Sequence, residues 1–290
     1  MDAQLVTTLG LNALSAILIL SLAALGLAII FGFMGVINLA HGAYVALGAY
    51  TVWFAQSTLG IGFWGGFILA PVFVAVVGFL TEAFVVKHLY HRLGDTILAT
   101  WGISIVIGEV IKLLFGATSK QVANPLPARV DLGVTTYPVY RLFLIGISIV
   151  LLFTIYWLFQ RTNYGIRLRA VIQDETAASL LGVNRDRVYK LSYSIGAALA
   201  GIAGAGLAPI VSVNPDMGVT YLTQSFLAII LGGGGNLLGV VPGSIVIAGI
   251  SNTLTFSISP VAAQTLVYIL AIAIIVARPE GFFGGEFNEE

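Results

Sequence analysis

The chain has 290 residues, of which 58% are hydrophobic and 9% charged, and thirteen Lys and Arg balance thirteen Asp and Glu. A soluble domain carries about 25% charged residues, and a globule this poor in charge would expose large apolar patches. Those numbers exclude a soluble enzyme, a disordered chain and a nucleic-acid binder, which needs a basic excess; lipid is the solvent that fits.

A bilayer span needs about 20 mostly apolar residues. Nine apolar segments follow one another along the chain: 11–33, 42–55, 63–86, 97–115, 142–159, 191–210, 222–231, 238–258 and 261–277. Segments 42–55 and 222–231 are short, as half-helices or re-entrant segments are. The expectation is a single all-α domain over 1–290, a polytopic membrane protein of eight or nine transmembrane helices. The N-terminus offers Asp2 and no Lys or Arg, unlike a signal peptide, so the first helix is expected in the mature protein.

The first span runs into Gly32-Phe-Met-Gly-Val-Ile-Asn38-Leu-Ala-His41-Gly42, an amide and an imidazole set between glycines. The loop 87–95 holds Lys87, His88, His91 and Arg92; the two histidines have no third ligand nearby, so no metal site is expected. The fourth segment carries Thr100, Trp101, Ser104 and Glu109. Thr100 and Ser104, at i and i+4, share a helix face. Polar groups at membrane depth point to function. Plainer readings stand beside it: hydroxyls bonded back to their own helix, a Glu109–Lys112 ion pair at i+3, and His41 fixing its turn.

The stretch 116–140 contains Pro125, Pro127 and Pro138 and reads as an external loop. Segment 160–190 is the longest polar one and carries Arg161, Arg167, Arg169, Arg185, Arg187 and Lys190. Basic residues favour the cytoplasmic side, which puts 87–95 and 160–190 inside and 116–140 outside, despite Lys120, Arg129 and Arg141. Within 160–190, Gly165 and Gly182 bracket an expected amphipathic helix over 166–181, lying in the membrane interface or docked on a soluble partner.

Glycine is enriched, 34 of 290, and GAALAGIAGAG at 196–206 suits close helix packing. Gly232-Gly-Gly-Gly-Asn236-Leu-Leu-Gly239 breaks the chain again, since four glycines do not sustain a helix. Both breaks set Asn-Leu ahead of an apolar helix, a weak internal repeat. Paired breaks are the best sequence pointer to a transporter's substrate path. Asn38, His41, Thr100, Trp101, Ser104, Glu109 and Asn236 are therefore the expected pathway residues. Enzyme motifs are missing, and with no Gly-x4-Gly-Lys-Ser/Thr the chain has no P-loop for ATP.

ETAASLLG at 175–182 resembles the coupling loop of ABC importer permeases, in which an acidic residue, two alanines and a glycine form a helix seated in a cleft of the ATPase. GVINLAHG at 35–42 is similar to the N-terminal signature of the branched-chain amino-acid/urea importer permeases, and RPEGFFG at 278–284 to that family's C-terminal ending. The resemblance implies a paralogous second permease subunit, two ATPase subunits that bind ATP and Mg, and an external solute-binding protein, in a bacterial-type inner membrane. No cofactor is expected in this chain. It assigns Arg169, Glu175, Ala177, Ala178, Leu181 and Gly182 to ATPase coupling. Residues 98–104 and 214–221 resemble the urea branch, which favours urea or a short amide as solute, with branched-chain amino acids the alternative and an ATP-independent channel a second one. The family commonly has an acid after the His-Gly pair; here it is Ala43. An ion-coupled carrier would carry more membrane carboxylates.

Overall fold

The computed structural model describes residues 3–90, 92–234 and 236–282. Asp2, His91, Gly235 and the Phe283-Gly284 end of the C-terminal motif lie outside the described residues.

Each of the nine apolar segments coincides with helix. The elements are α1 (Ala3–Met34), α2 (His41–Ser57), α3 (Gly62–Phe84), α4 (Leu93–Phe115), α5 (Val139–Arg161), α6 (Asn163–Gln173), α7 (Glu175–Leu180), α8 (Arg185–Leu207), α9 (Met217–Gly232), α10 (Val240–Ser244), α11 (Ile250–Leu254) and α12 (Pro260–Ala277). A π-helical turn joins α10 to α11. Among the described residues, five helices are long and apolar enough to cross a membrane: α1, α3 with its short 3-10 extension, α4, α5 and α12. Helices α9 and α10–α11 are apolar but shorter.

The expectation of an all-α chain needs one correction. Arg129–Asp131 (β1) and Thr136–Pro138 (β2) pair antiparallel. Their link holds Gly133 at φ 79, a conformation that suits glycine and tightens the turn. The hairpin belongs to the expected external loop, where strand edges meet no lipid.

Helix α8 is the hub, packed on α1, α2 and α3. Helix α1 is apolar all round and buried almost continuously from Leu18 to Ile30, as a central helix is. Its 32 residues span about 48 Å at 1.5 Å per residue, well beyond the hydrocarbon thickness. The N-terminal turns accordingly reach the hairpin: Thr8 Oγ1 meets Thr135 Oγ1 at 2.8 Å and the Tyr137 hydroxyl donates to Asn12 at 3.1 Å. At the opposite end Phe33 packs on Phe159 of α5. The loop after α3 joins that same end, where Tyr90 packs on Tyr189. The basic segments 87–95 and 160–190 thus share one end of the bundle, away from 116–138, as the charge bias requires.

The single helix expected over 166–181 is two helices. Asp174 takes extended dihedrals between them and its carboxylate accepts from the Ala177 amide at 2.9 Å. Capping a new helix start outcompetes continuing the old one. Gly165 lies inside α6, whose N-cap is Thr162.

Candidate functional site

The first break lies at membrane depth. His41 Nε2 bonds the carbonyl of Ala23 at 2.9 Å, and Ala23 is halfway along the apolar stretch 11–33. Helix α2 therefore begins beside the middle of α1 and runs toward the end of the bundle that holds 116–138, where Gln56 exchanges hydrogen bonds with the backbone of Ala123. The chain between Met34 and His41 is irregular, and irregular backbone survives at that depth only where protein or water satisfies it.

Thr100 does much of this. Its hydroxyl accepts from the Leu39 amide at 3.1 Å and donates to the Thr96 carbonyl at 2.7 Å, with the Ile37 carbonyl 3.2 Å away. Asn38 Oδ1 accepts from the Ala40 amide at 3.0 Å. Asn38, His41 and Thr100 are all buried, and Asn38 Nδ2 and His41 Nδ1 keep no protein partner among the described residues. Both readings of Thr100 meet here: it bonds back to its own helix and pins the break. Replacing it with the near-isosteric Val strands the Leu39 amide, at about 1–3 kcal/mol. Thr100→Val is expected to lower the thermal midpoint of the purified protein, while Ser104→Ala leaves it within a degree or two.

The second break repeats the first locally. Asn236 Oδ1 accepts from the Leu238 amide at 2.9 Å, and its carbonyl accepts from the Gly239 amide, as the Asn38 carbonyl does from His41. Gly233 sits at φ 99. The two breaks face different neighbours, however. Gly234 approaches Phe31, Gly281 packs on Gly233, and the Phe282 amide donates to the Leu231 carbonyl at 2.8 Å. Asn236, like Asn38, His41 and Thr100, does not line the cleft that Trp101, Ser104 and Glu109 share.

That cleft, about 190 Å³, is lined by Trp101, Ser104 and Glu109 from α4, Ala43 from α2, and Asp216 and Val219 at the start of α9. Trp101 is 55% exposed. Lys112 lies within 3.0 Å of Glu109 and 3.4 Å of Asp216. The i+3 pair was expected from the sequence; Asp216 was not, because only the tertiary fold brings it to α4. Ala43, at the position where an acid is common, borders the cleft too, so its negative charge comes from Glu109 and Asp216 instead.

At the basic end, α7 is tied down by residues that the sequence did not flag. Arg185 Nη1 donates to Glu175, and its guanidinium lies 5.0 Å from the Tyr90 ring centroid and 5.4 Å from that of Tyr189. Tyr90 donates to the buried Glu82 at 2.8 Å. Burial, and then the Glu82 carboxylate, push the Tyr90 phenol well up, so it remains a donor at neutral pH. No motif marks Arg185; only its place ten residues after Glu175 brings it back to the helix. Arg169 donates to the Phe159 carbonyl at the end of α5. Ala178, one of the residues the resemblance assigns to coupling, is buried and packs inward, whereas Leu180 and Leu181 stand out at 83% and 84% exposure. Ala177 is exposed, and Gly182 turns the chain at φ 82.

The family described as the permease component of the branched-chain amino acid transport system matches residues 9–277. The high-affinity branched-chain amino acid transport system permease protein LivH of Escherichia coli (strain K12) is 29% identical over 286 residues, covering 91% of each chain. A probable branched-chain amino acid transport permease protein LivH of Methanocaldococcus jannaschii is 27% identical, covering 93% of this chain and 90% of its own. The permease protein LivM of the same Escherichia coli transport system is 25% identical, over 89% of this chain and 66% of its own. No solved structure matches the chain.

Proposed function

The chain belongs to the branched-chain amino acid transport permease family, and from that premise we propose that it is the membrane subunit of an ATP-driven importer of branched-chain amino acids. It is a multi-pass protein of the bacterial-type inner membrane. Similarity to both LivH and LivM of one organism supports a translocation core of two homologous permeases. The missing P-loop leaves ATP and Mg to two separate ATPase subunits, which meet α7, and an external binding protein delivers the solute.

The observation that carries the substrate class is the cleft along α4. Lys112 stands between the carboxylates of Glu109 and Asp216, so a zwitterion finds a cation for its carboxylate and an anion for its ammonium. Ala43, Ala46, Ile105, Ile107 and Val219 line the same cleft and suit a branched aliphatic side chain. Urea has no use for the charges or the aliphatic wall. The relatives named for branched-chain amino acids favour the same choice over urea, for which 98–104 and 214–221 spoke.

Uptake by the reconstituted complex, with its binding protein and ATPases, tests this. Labelled leucine is expected to accumulate with ATP, unlabelled isoleucine and valine to compete, and excess urea to have no effect. Lys112→Gln is expected to cut leucine uptake about tenfold, the scale of one charge-assisted hydrogen bond. ATP-dependent urea uptake that leucine does not displace would overturn the substrate reading and leave the permease role standing. Uptake undiminished without ATPases would point to a channel.

A further inference from the structure

A second polar cavity lies within the chain itself and shares no lining residue with the cleft along α4. It occupies about 240 Å³ between α1, the start of α5, the end of α8, α9 and α11. Seven polar side chains line it: Ser15, Arg141, Tyr221, Gln224, Ser251, Asn252 and Thr255. Arg141 is the one charged group among the lining residues, and no Asp or Glu lines the cavity.

These groups have hydrogen-bonding capacity to spare. Ser15 is 1% exposed, and its Oγ has no partner. Among the described residues, Arg141 forms no ion pair with a carboxylate. Among the described residues the side chains of Tyr221, Gln224, Ser251 and Asn252 form no hydrogen bond to protein, whereas the Thr255 hydroxyl donates back to the Ser251 carbonyl at 2.7 Å. Polar groups gathered inside a membrane protein are costly unless something satisfies them. A guanidinium with no counter-charge selects an oxyanion, which it grips through two parallel N–H bonds. The hydroxyls and side-chain amides around it add neutral donors. The volume equals that of about eight waters, so the bound group is small.

We propose that this cavity is a binding site for a small oxyanion, a carboxylate or a phosphate, held by Arg141 with Ser251, Asn252 and Gln224 as its neutral partners. Arg141 lies in the first turn of α5, next to the hairpin that the charge bias places outside. Two sources supply that chemistry there: the carboxylate of a free solute and the phosphate of an outer-leaflet lipid.

The test uses the full complex in non-ionic detergent and reads the thermal midpoint against added leucine, leucinamide or short-chain phosphatidylglycerol. Leucine or the phospholipid is expected to raise the midpoint and leucinamide, which lacks the carboxylate, is not. A response to leucine identifies the solute as source; a response to the phospholipid alone identifies the lipid. Arg141→Gln should weaken the apparent affinity of the responding probe roughly tenfold or more, and Arg141→Lys less. All of these variants are read in the Lys112→Gln background, in which the cleft along α4 has lost its cation, so the remaining response belongs to this cavity. Should Arg141→Gln fail to fold, Asn252→Leu, which fills the cavity from its neutral side, is expected to abolish the response. No midpoint shift with either oxyanion, equal shifts with leucine and leucinamide, or a response that survives both Arg141→Gln and Asn252→Leu would each overturn the proposal.

Discussion

Gly204→Leu is expected to leave little folded protein. A Cβ at Gly204 would fall inside the van der Waals envelope of the Val45 carbonyl oxygen and 3.1 Å from the Ala49 amide nitrogen. Both are backbone atoms of α2, so no side-chain rotation relieves the clash. Gly48 of α2 meets the Gly201 carbonyl in the same way, and Gly26 of α1 meets that of Gly196. The hub helix α8 therefore touches α1 and α2 backbone to backbone, the association that small residues permit where lipid offers no hydrophobic drive. Overpacking a core costs about 1–3 kcal/mol even when side chains can yield; here two helices must separate. Detergent-solubilised Gly204→Leu should elute as aggregate, or melt well below the parent chain. Gly102→Leu is the control, because nothing lies within 4 Å of its Cβ position. A monodisperse Gly204→Leu with the parent midpoint would show that this contact does not hold the bundle.

The helices were legible because hydropathy measures what it needs to measure. A segment that must leave water reads as apolar whether lipid or a neighbouring helix receives it, and all nine apolar segments coincide with helix. What hydropathy does not report is depth. Nothing in Gly35–His41 says that its turn lies beside Ala23, since that follows from one hydrogen bond across 18 residues. The glycine-rich run at 196–206 announced close packing, but its partners Gly26 and Gly48 are unremarkable within their own helices. The break at Asp174 was missed for a different reason. Its flanks are good helix formers, and the capping bond that divides them uses local polar chemistry that periodicity averages away.

Site residues follow the same division. Trp101, Ser104 and Glu109 were found because polar groups on an apolar helix stand out, and they do line one cleft. Asp216 and Arg185 were missed. Asp216 reaches Lys112 only through the packing of α9 beside α4, and Arg185 reaches Glu175 only because α7 folds back on the start of α8. Thr100 was assigned to the pathway for its hydroxyl, and that hydroxyl is spent on the break. It shapes the cleft from behind while Ser104 faces it.

The paired substitution Leu180→Asp with Leu181→Asp is expected to abolish uptake while the protein still folds and inserts. Both side chains are more than four-fifths exposed, so the chain loses almost no internal packing when they change. Exposed leucines side by side on a polar segment are what a partner's groove buries. Anchors of this kind are worth about 2 kcal/mol each, roughly 30-fold per residue in affinity for the ATPase, before the penalty of burying a carboxylate. The helix that carries them is held from behind by Ala178, which packs inward, and by Arg185 on Glu175. Ala178→Leu should accordingly lower stability, whereas the double aspartate should not. Gly182→Trp should lower both uptake and stability: its Cβ position is open, but φ 82 strains any side-chain-bearing residue by about 1–2 kcal/mol and shifts the turn that presents Leu181. The measurement is leucine uptake and copurification of the ATPase, alongside the thermal midpoint. Wild-type uptake by the double aspartate variant would remove α7 from the coupling path.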